Sequence, residues 1–339
     1  MNPEATNPDA TLAPTEPIPG AEPSVVGKIF IGKDGLRAGW SLLIFIALLA
    51  AVLIAANFVA HKIHPNNPNA AKNMSEISLK AAFINESLLL FIVLFVTWIM
   101  SKIERRPNSV YGFGGSRKVA HFFAGLAWGV VCLSLLVLSL WKTGLLVIDG
   151  RLLFGSDILR YGAAWLLGFL LVGLFEEYFS RGYLQYTLTR GLAGLCRWAF
   201  ETRHSQAFGF WTSAVILSFL FGLGHGKNPG ESPIGMLSAG LVGMVFCFSL
   251  WRTGSLWWAI GFHTAWDWSQ SFLWGVADSG AMAQHHLLAT HPAGKPILSG
   301  GATGPEGSIF IVAVVGLISL IILLTLPRTR LGDIPERSI

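Results

Sequence analysis

Three short polar clusters interrupt the long apolar stretches of this sequence. They combine two adjacent acids with an arginine, a histidine between glycines, and a histidine four residues before an aspartate. Their members are Glu176, Glu177 and Arg181, then His225, then His263 and Asp267. An ionisable side chain at the centre of a membrane helix costs about 2.5–3.5 kcal/mol on insertion scales. Such residues are therefore candidates for function, facing a protein interior or a wet cavity.

The first cluster places two carboxylates in different directions. Glu177 and Arg181 are four residues apart, the spacing at which opposite charges meet on one helix face. Neighbouring helix residues differ by about 100° in direction, so Glu176 cannot share that partner equally. A carboxylate left without a cation in an apolar surrounding is suited to general acid–base work. The alternative is a polar group that merely ends a membrane span.

The second and third clusters supply imidazoles and another acid. Gly224 and Gly226 flank His225 and leave room for a substrate or a water, although a structural histidine would fit the same pattern. The spacing of His263 and Asp267 puts both on one helix face, as either a structural or a catalytic pair. Together, the three clusters form the set of groups needed to activate water and hold an oxyanion inside a membrane.

The composition of the chain agrees with a membrane location. Its 339 residues are 53% hydrophobic and 13% charged, with a mean hydropathy of +0.56, whereas soluble domains carry about 25% charged residues. Three cysteines in apolar surroundings (Cys132, Cys196, Cys247) exclude a disulfide framework or a paired-cysteine metal site. The net charge of +5 is spread in small groups, without a basic stripe interleaved with aromatics. We therefore expect no nucleic-acid partner.

The apolar runs predict an all-α, polytopic helical membrane protein with about eight transmembrane helices, since a span needs about 20 apolar residues. The predicted spans are 38–60, 81–101, 119–141, 158–175, 208–225, 233–250, 253–275 and 308–326. The fourth can continue as a helix to about Leu188, because no proline interrupts it. Residues 1–27, rich in Pro, Ala and Thr, are predicted to be a disordered tail.

The distribution of basic residues predicts the orientation. With the N-terminus in the cytoplasm, 16 of the 24 Lys and Arg residues lie in cytoplasmic segments and 8 lie outside. The positive-inside rule therefore favours cytoplasmic termini. We expect a multi-pass integral protein, placed in a bacterial inner membrane, with the lipid bilayer as its surroundings.

The three motifs, in this order, resemble the CPBP family. EExxxR occurs as Glu176–Arg181, FxxxH as Phe221–His225 and HxxxD as His263–Asp267. This family comprises type II CAAX prenyl endopeptidases and bacterial bacteriocin-processing and immunity (Abi) proteins. Asp267 stands where the prenyl endopeptidases typically carry Asn. The resemblance divides the chain into N-terminal transmembrane helices (28–145), a CPBP-like catalytic core (146–280), a loop (281–307), and a last transmembrane helix with a cytoplasmic tail (308–339).

The resemblance implies an intramembrane endopeptidase that cleaves a membrane-associated protein or peptide. It implies that Glu176 activates water and His225 helps to orient it, while His263 and Asp267 stabilise the oxyanion or position the carbonyl. Glu177 and Arg181 would support them. No HExxH pattern occurs, and a metal-free mechanism without a cofactor is favoured. Zinc held by Glu176, His225 and His263 is the alternative.

Two other functions compete with proteolysis. The first is a non-catalytic immunity or scaffold protein of the same fold, which binds another membrane protein. The second is a proton-coupled transporter, because intramembrane acids and histidines can relay protons. The sequence has no repeat-related halves and no paired broken helices, which are typical of transporters, and all the motif positions carry residues capable of chemistry.

Overall fold

The computed structural model describes residues 29–32, 35–63 and 76–327. The predicted disordered tail (1–27) and residues 328–339 of the predicted cytoplasmic tail lie outside them. The chain divides into two units, Met1–Arg37 and Ala38–Ile339. In the first unit, strand β1 (Ile31–Gly32) pairs antiparallel with β2 (Gly35–Leu36). The second unit contains the helices and the candidate site.

Helices dominate the second unit. Six continuous helical runs among the described residues are long and apolar enough to cross a membrane, which confirms the prediction of an all-α polytopic protein. The helices are α1 (Ala38–Ile63), α2 (Leu79–Glu104), α3 (Lys118–Lys142), α4 (Ser156–Glu177), α5 (Gln185–Phe200), α6 (Ser205–His225), α7 (Pro233–Thr253), α8 (Trp257–Trp268) and α9 (Ile311–Thr325). One run of 45 residues joins α4 to α5, while α8 and α9 are shorter than the other spans.

Two helices change to a wider π-helical winding at or directly after a polar cluster. A π-helical segment at Tyr178–Leu184 follows α4, and the helix then continues as α5 to Phe200, beyond the predicted end near Leu188. A second π-helical segment, Ser269–Leu273, follows α8. Such segments are rare and frequently occur at functional sites. Here they follow Glu177 and Trp268, the residues that end α4 and α8.

Small residues allow α8 to lie against α3. A methyl group added at Gly125 of α3 would collide with the carbonyl oxygen of Trp258, and one added at Gly261 of α8 would collide with that of Phe122. Close contact between membrane helices commonly depends on such glycines. Nine of the twelve residues of α8 are buried, so this helix is held inside the bundle and fixes the position of the third polar cluster.

Short strands cover one end of the bundle. Strand β3 (Glu76–Ile77) pairs with β5 (Met282–Ala283), and β4 (Leu146–Arg151) pairs with β6 (Leu288–Pro292). The segment predicted to be a plain loop, 281–307, therefore contains two strands as well as a short helix at Pro296–Ser299. Their partners lie far away in the chain, so no local pattern predicts the pairing. We call this the strand end of the bundle.

Candidate active site

All three polar clusters contribute to one cavity of about 380 Å³. Its wall is built from α2, α4, α6, α7 and α8, and the segment 274–310 between α8 and α9 completes it. Residues of the predicted clusters that line it are Glu176, Phe221, His225, His263 and Asp267. This volume is within the usual range of ligand pockets, about 300–1,000 Å³. The cavity also draws residues from outside the predicted catalytic core, 146–280.

The two adjacent glutamates have different surroundings. The side chain of Glu177 is fully buried, and its Oε1 accepts a hydrogen bond from Arg181 Nη1 at 2.8 Å. The i, i+4 contact expected from the sequence is therefore present. The side chain of Glu176 is 27% exposed and lines the cavity. Its Oε2 is buried without a hydrogen-bond partner among the described residues, so the exposed part of the side chain is the part that a water or a substrate can reach.

Arg181 joins the first cluster to the second. Its guanidinium lies over the ring of Phe221, with 4.1 Å between the guanidinium carbon and the ring centroid. A cation over an aromatic face is attracted by the ring quadrupole. A methyl group at Gly243 would come within 2.6 Å of Arg181 Nη2, so this glycine leaves space for the guanidinium. The arrangement ties the π-helical segment after Glu177 to α6, which carries His225.

His263 lies among three carboxylates. Its Nδ1 is 3.0 Å from Glu177 Oε1, while its Nε2 is 3.8 Å from Glu176 Oε2 and 3.5 Å from Asp267 Oδ2. Because a carboxylate only accepts, Nδ1 carries the hydrogen in its bond to Glu177. This bond fixes the orientation of the ring and leaves Nε2 facing Glu176 and Asp267. The first and third clusters therefore meet directly.

His225 is the last residue of α6 and lines the same cavity. Its Nδ1 is 2.8 Å from the carbonyl oxygen of Phe221 in its own helix. A carbonyl oxygen is an acceptor, so this bond places the hydrogen on Nδ1 and leaves Nε2 available. The ring of Phe221 lies 4.6 Å from the imidazole, measured between centroids. The imidazole of His225 is thus held in place by its own helix, α6.

Three further carboxylates line the cavity, and the sequence reasoning missed them: Glu86 on α2, and Asp278 and Glu306 in the segment 274–310. Glu86 lies inside the second predicted span, so the rule that found Glu176 applies to it equally. Asp278 and Glu306 lie outside the spans and carry no comparable signal. Burial raises the pKa of Asp278, with Asp267 and Glu306 adding to the effect, and burial also raises the pKa of Glu306.

The alternative zinc site is not assembled in the part of the chain that the structure describes. No group of three or more His, Cys, Asp or Glu side chains there is placed to hold a metal ion. Glu176 and His263 lie near each other, and His225 lines the same cavity. These three residues therefore do not fit a three-ligand zinc centre in the described arrangement.

The fold and the cavity together define a multi-pass membrane protein with an internal site lined by carboxylates and imidazoles. The family model for type II CAAX prenyl endopeptidase Rce1-like proteins matches residues 158–269. This match covers about a third of the chain and includes all three motifs, and it confirms the resemblance seen in the sequence. It supports an intramembrane protease function. Neither the curated proteins nor the solved structures give a significant match.

Proposed function

We propose that this protein is an intramembrane endopeptidase in which Glu176 activates the water that attacks a peptide bond of a membrane-associated protein or peptide. One observation carries the proposal: Glu176 Oε2 lacks a hydrogen-bond partner among the described residues and lies 3.8 Å from His263 Nε2 at the cavity. A base, a water and a carbonyl must lie within hydrogen-bond reach of each other, about 3 Å per contact. A water in the cavity, beside the exposed part of Glu176 and the imidazole of His263, would meet that requirement.

In the proposed reaction, Glu176 removes a proton from the water as its oxygen attacks the substrate carbonyl carbon. The negative charge develops on the carbonyl oxygen, where a protonated Nε2 of His263 donates a hydrogen bond. Nε2 of His225, whose ring carries its hydrogen on Nδ1, accepts a hydrogen bond from the water and helps to orient it. When the tetrahedral intermediate collapses, the C–N bond breaks and the proton held by Glu176 passes to the leaving amine. The products are a carboxylic acid and an amine, and Glu176 is again a carboxylate.

The neighbouring residues position these groups. Asp267, 3.5 Å from His263 Nε2, favours the protonated imidazole that stabilises an oxyanion. Glu177 orients His263 through Nδ1, and Arg181 compensates the charge of Glu177. The proposed mechanism uses no metal ion and no cofactor.

The test uses the purified full-length chain and a library of membrane-anchored peptides. We expect cleavage by the wild-type protein, its loss in Glu176→Gln, and its retention in Glu201→Gln, which removes an exposed acid at the end of α5. Cleavage that requires added zinc and is lost with chelator would contradict the metal-free mechanism. Absence of any cleavage would favour the non-catalytic immunity or scaffold function.

We also propose that the protein lies in a bacterial inner membrane with both termini in the cytoplasm. With this orientation, α2 begins on the outer side, and the strand end of the bundle, which contains the β3–β5 pair, lies outside. Cysteine at Asp149, on exposed β4, should react with an impermeant reagent in intact cells, and cysteine at Glu201 only after permeabilisation. The three native cysteines are buried, so their background labelling is low. The opposite labelling pattern would reverse the orientation.

A further inference from the structure

Three cavity carboxylates have no role in the proposed mechanism. Glu86, Asp278 and Glu306 all line the cavity, and all lie outside the family match at 158–269. They come from two parts of the chain, α2 and the segment between α8 and α9. The family match therefore assigns no role to these three acids, although they face the cavity.

Glu86 is the most informative of the three. It lies within α2, a helix long and apolar enough to cross the membrane, where an ionisable group is costly and usually functional. None of the described Lys, Arg or His side chains forms an ion pair with Glu86. By contrast, Ser271 donates to Asp278, and Ser279 donates to Glu306. Glu86 therefore presents an uncompensated acid to the cavity.

The charges around the cavity are unbalanced. Among the described residues in its wall, five are acids and the basic ones are the two imidazoles; the acids are Glu86, Glu176, Asp267, Asp278 and Glu306. Arg181, the nearby guanidinium, is already paired with Glu177. An excess of acidic groups in a cleft walled by apolar groups favours a ligand of positive charge, because a cation beside an acid favours its ionised form.

We propose that Glu86 is a specificity-determining residue, and that the preferred substrate carries a Lys or Arg side chain close to the peptide bond that is cut. This proposal rests on the proposed protease function and names its substrate class. A substrate cation can pair with Glu86, which has no ion-pair partner among the described residues, whereas an acidic side chain at the same position is repelled by it. Charge complementarity of this kind discriminates between substrates by attraction and by repulsion together.

The experiment measures kcat/KM for quenched-fluorescence peptides that carry Lys, norleucine or Glu at each of the positions flanking the bond. At one position, we expect wild-type protein to favour Lys over norleucine by about tenfold or more. The Glu86→Gln variant should lower this ratio toward one, and Glu86→Lys should shift preference toward Glu. The matched control, Asp157→Asn, removes an exposed acid at the start of α4 and should keep the wild-type ratio.

The outcomes separate this inference from the protease proposal. Equal cleavage of the Lys and norleucine peptides at every position would overturn the specificity role while leaving the protease intact. If no peptide is cleaved, the protease proposal fails, and binding of the same peptides decides the role of Glu86. Tighter binding of Lys peptides, lost in Glu86→Gln, supports that role, and equal binding overturns it. If the purified protein contains one metal ion per chain and the Glu86→Gln variant does not, these carboxylates bind a metal ion, and the proposed role in substrate choice is overturned.

Discussion

Two acids in the described part of this protein, Glu104 and Glu176, have opposite surroundings: the first lies in a closed polar network and the second lies beside a cavity. Glu104, at the end of α2, accepts hydrogen bonds from Tyr183 at 2.9 Å and from Tyr111 at 3.2 Å, with Arg190 at 3.8 Å. Burial and the charge of Glu104 raise the pKa of Tyr111, so its hydroxyl remains a donor. Glu176, by contrast, has a buried oxygen without a hydrogen-bond partner among the described residues and faces a cavity.

The difference shows how a structural acid can be told from a functional one inside a membrane protein. The Glu104 cluster satisfies both carboxylate oxygens and joins α2 to the π-helical segment and α5. A satisfied buried network rigidifies the structure around it. Glu176 has a buried oxygen without a hydrogen bond and lies beside a cavity of about 380 Å³; the unpaired oxygen costs stability, which a functional role would explain. Variants of the two clusters should therefore fail in different ways.

The largest effect is expected for Glu176→Gln. This change keeps the shape of the side chain but removes the proposed base, so turnover should fall by about 10² or more, the scale of general-base catalysis. The thermal stability should change little, because Glu176 Oε2 makes no hydrogen bond within the described structure. The measurement is turnover per folded molecule beside a melting curve. Full turnover in this variant would remove Glu176 from the mechanism.

The second effect is expected for Glu177→Gln. It leaves Arg181, which is 3% exposed, without its charged partner, and breaking a buried pair can cost about 3–5 kcal/mol. Because Glu177 also contacts His263 Nδ1, turnover per folded molecule should fall too, but by less than in Glu176→Gln. The free energy of unfolding and the turnover are measured together. Equal catalytic loss at equal stability in the two variants would contradict the division of labour between these adjacent acids.

The third effect is expected for Glu104→Gln. A neutral amide cannot accept from both Tyr183 and Tyr111 through two oxygens, and an unsatisfied buried group costs about 1–3 kcal/mol. Stability should fall by that amount, whereas turnover per folded molecule should remain close to that of the wild type. The Tyr183→Phe variant, which removes one donor, should have a smaller effect. A large loss of turnover at unchanged stability would place Glu104 in the functional class after all.

The sequence predicted much of the helical architecture because long apolar runs and isolated charges are local signals. The contact between Glu177 and Arg181 also follows from spacing within one helix. Glu86 was missed although its signal was present, because Glu176, Glu177 and Asp267 lie in recognisable motifs and Glu86 does not. Asp278 and Glu306 could not be found in this way. They reach the cavity through a segment held by strand pairs between distant parts of the chain, which no local pattern encodes.

The smallest effect concerns the pH dependence of the segment 274–310. Burial raises the pKa of Asp278 well above its ordinary value of 3.8, so the folded chain keeps a proton that the unfolded chain has already lost. The stabilising contribution is fully present below the ordinary pKa and is lost as pH rises through the raised one. The melting temperature of wild-type protein should therefore fall more steeply above about pH 4 than that of Asp278→Asn, which cannot ionise.

Ser271 Oγ donates to Asp278 Oδ2 at 3.1 Å and limits the effect, since a hydrogen bond to the carboxylate favours its charged form. Melting curves of both proteins from pH 4 to pH 8 measure the difference. Parallel curves would show that Asp278 ionises with the same pKa in the folded and unfolded chains.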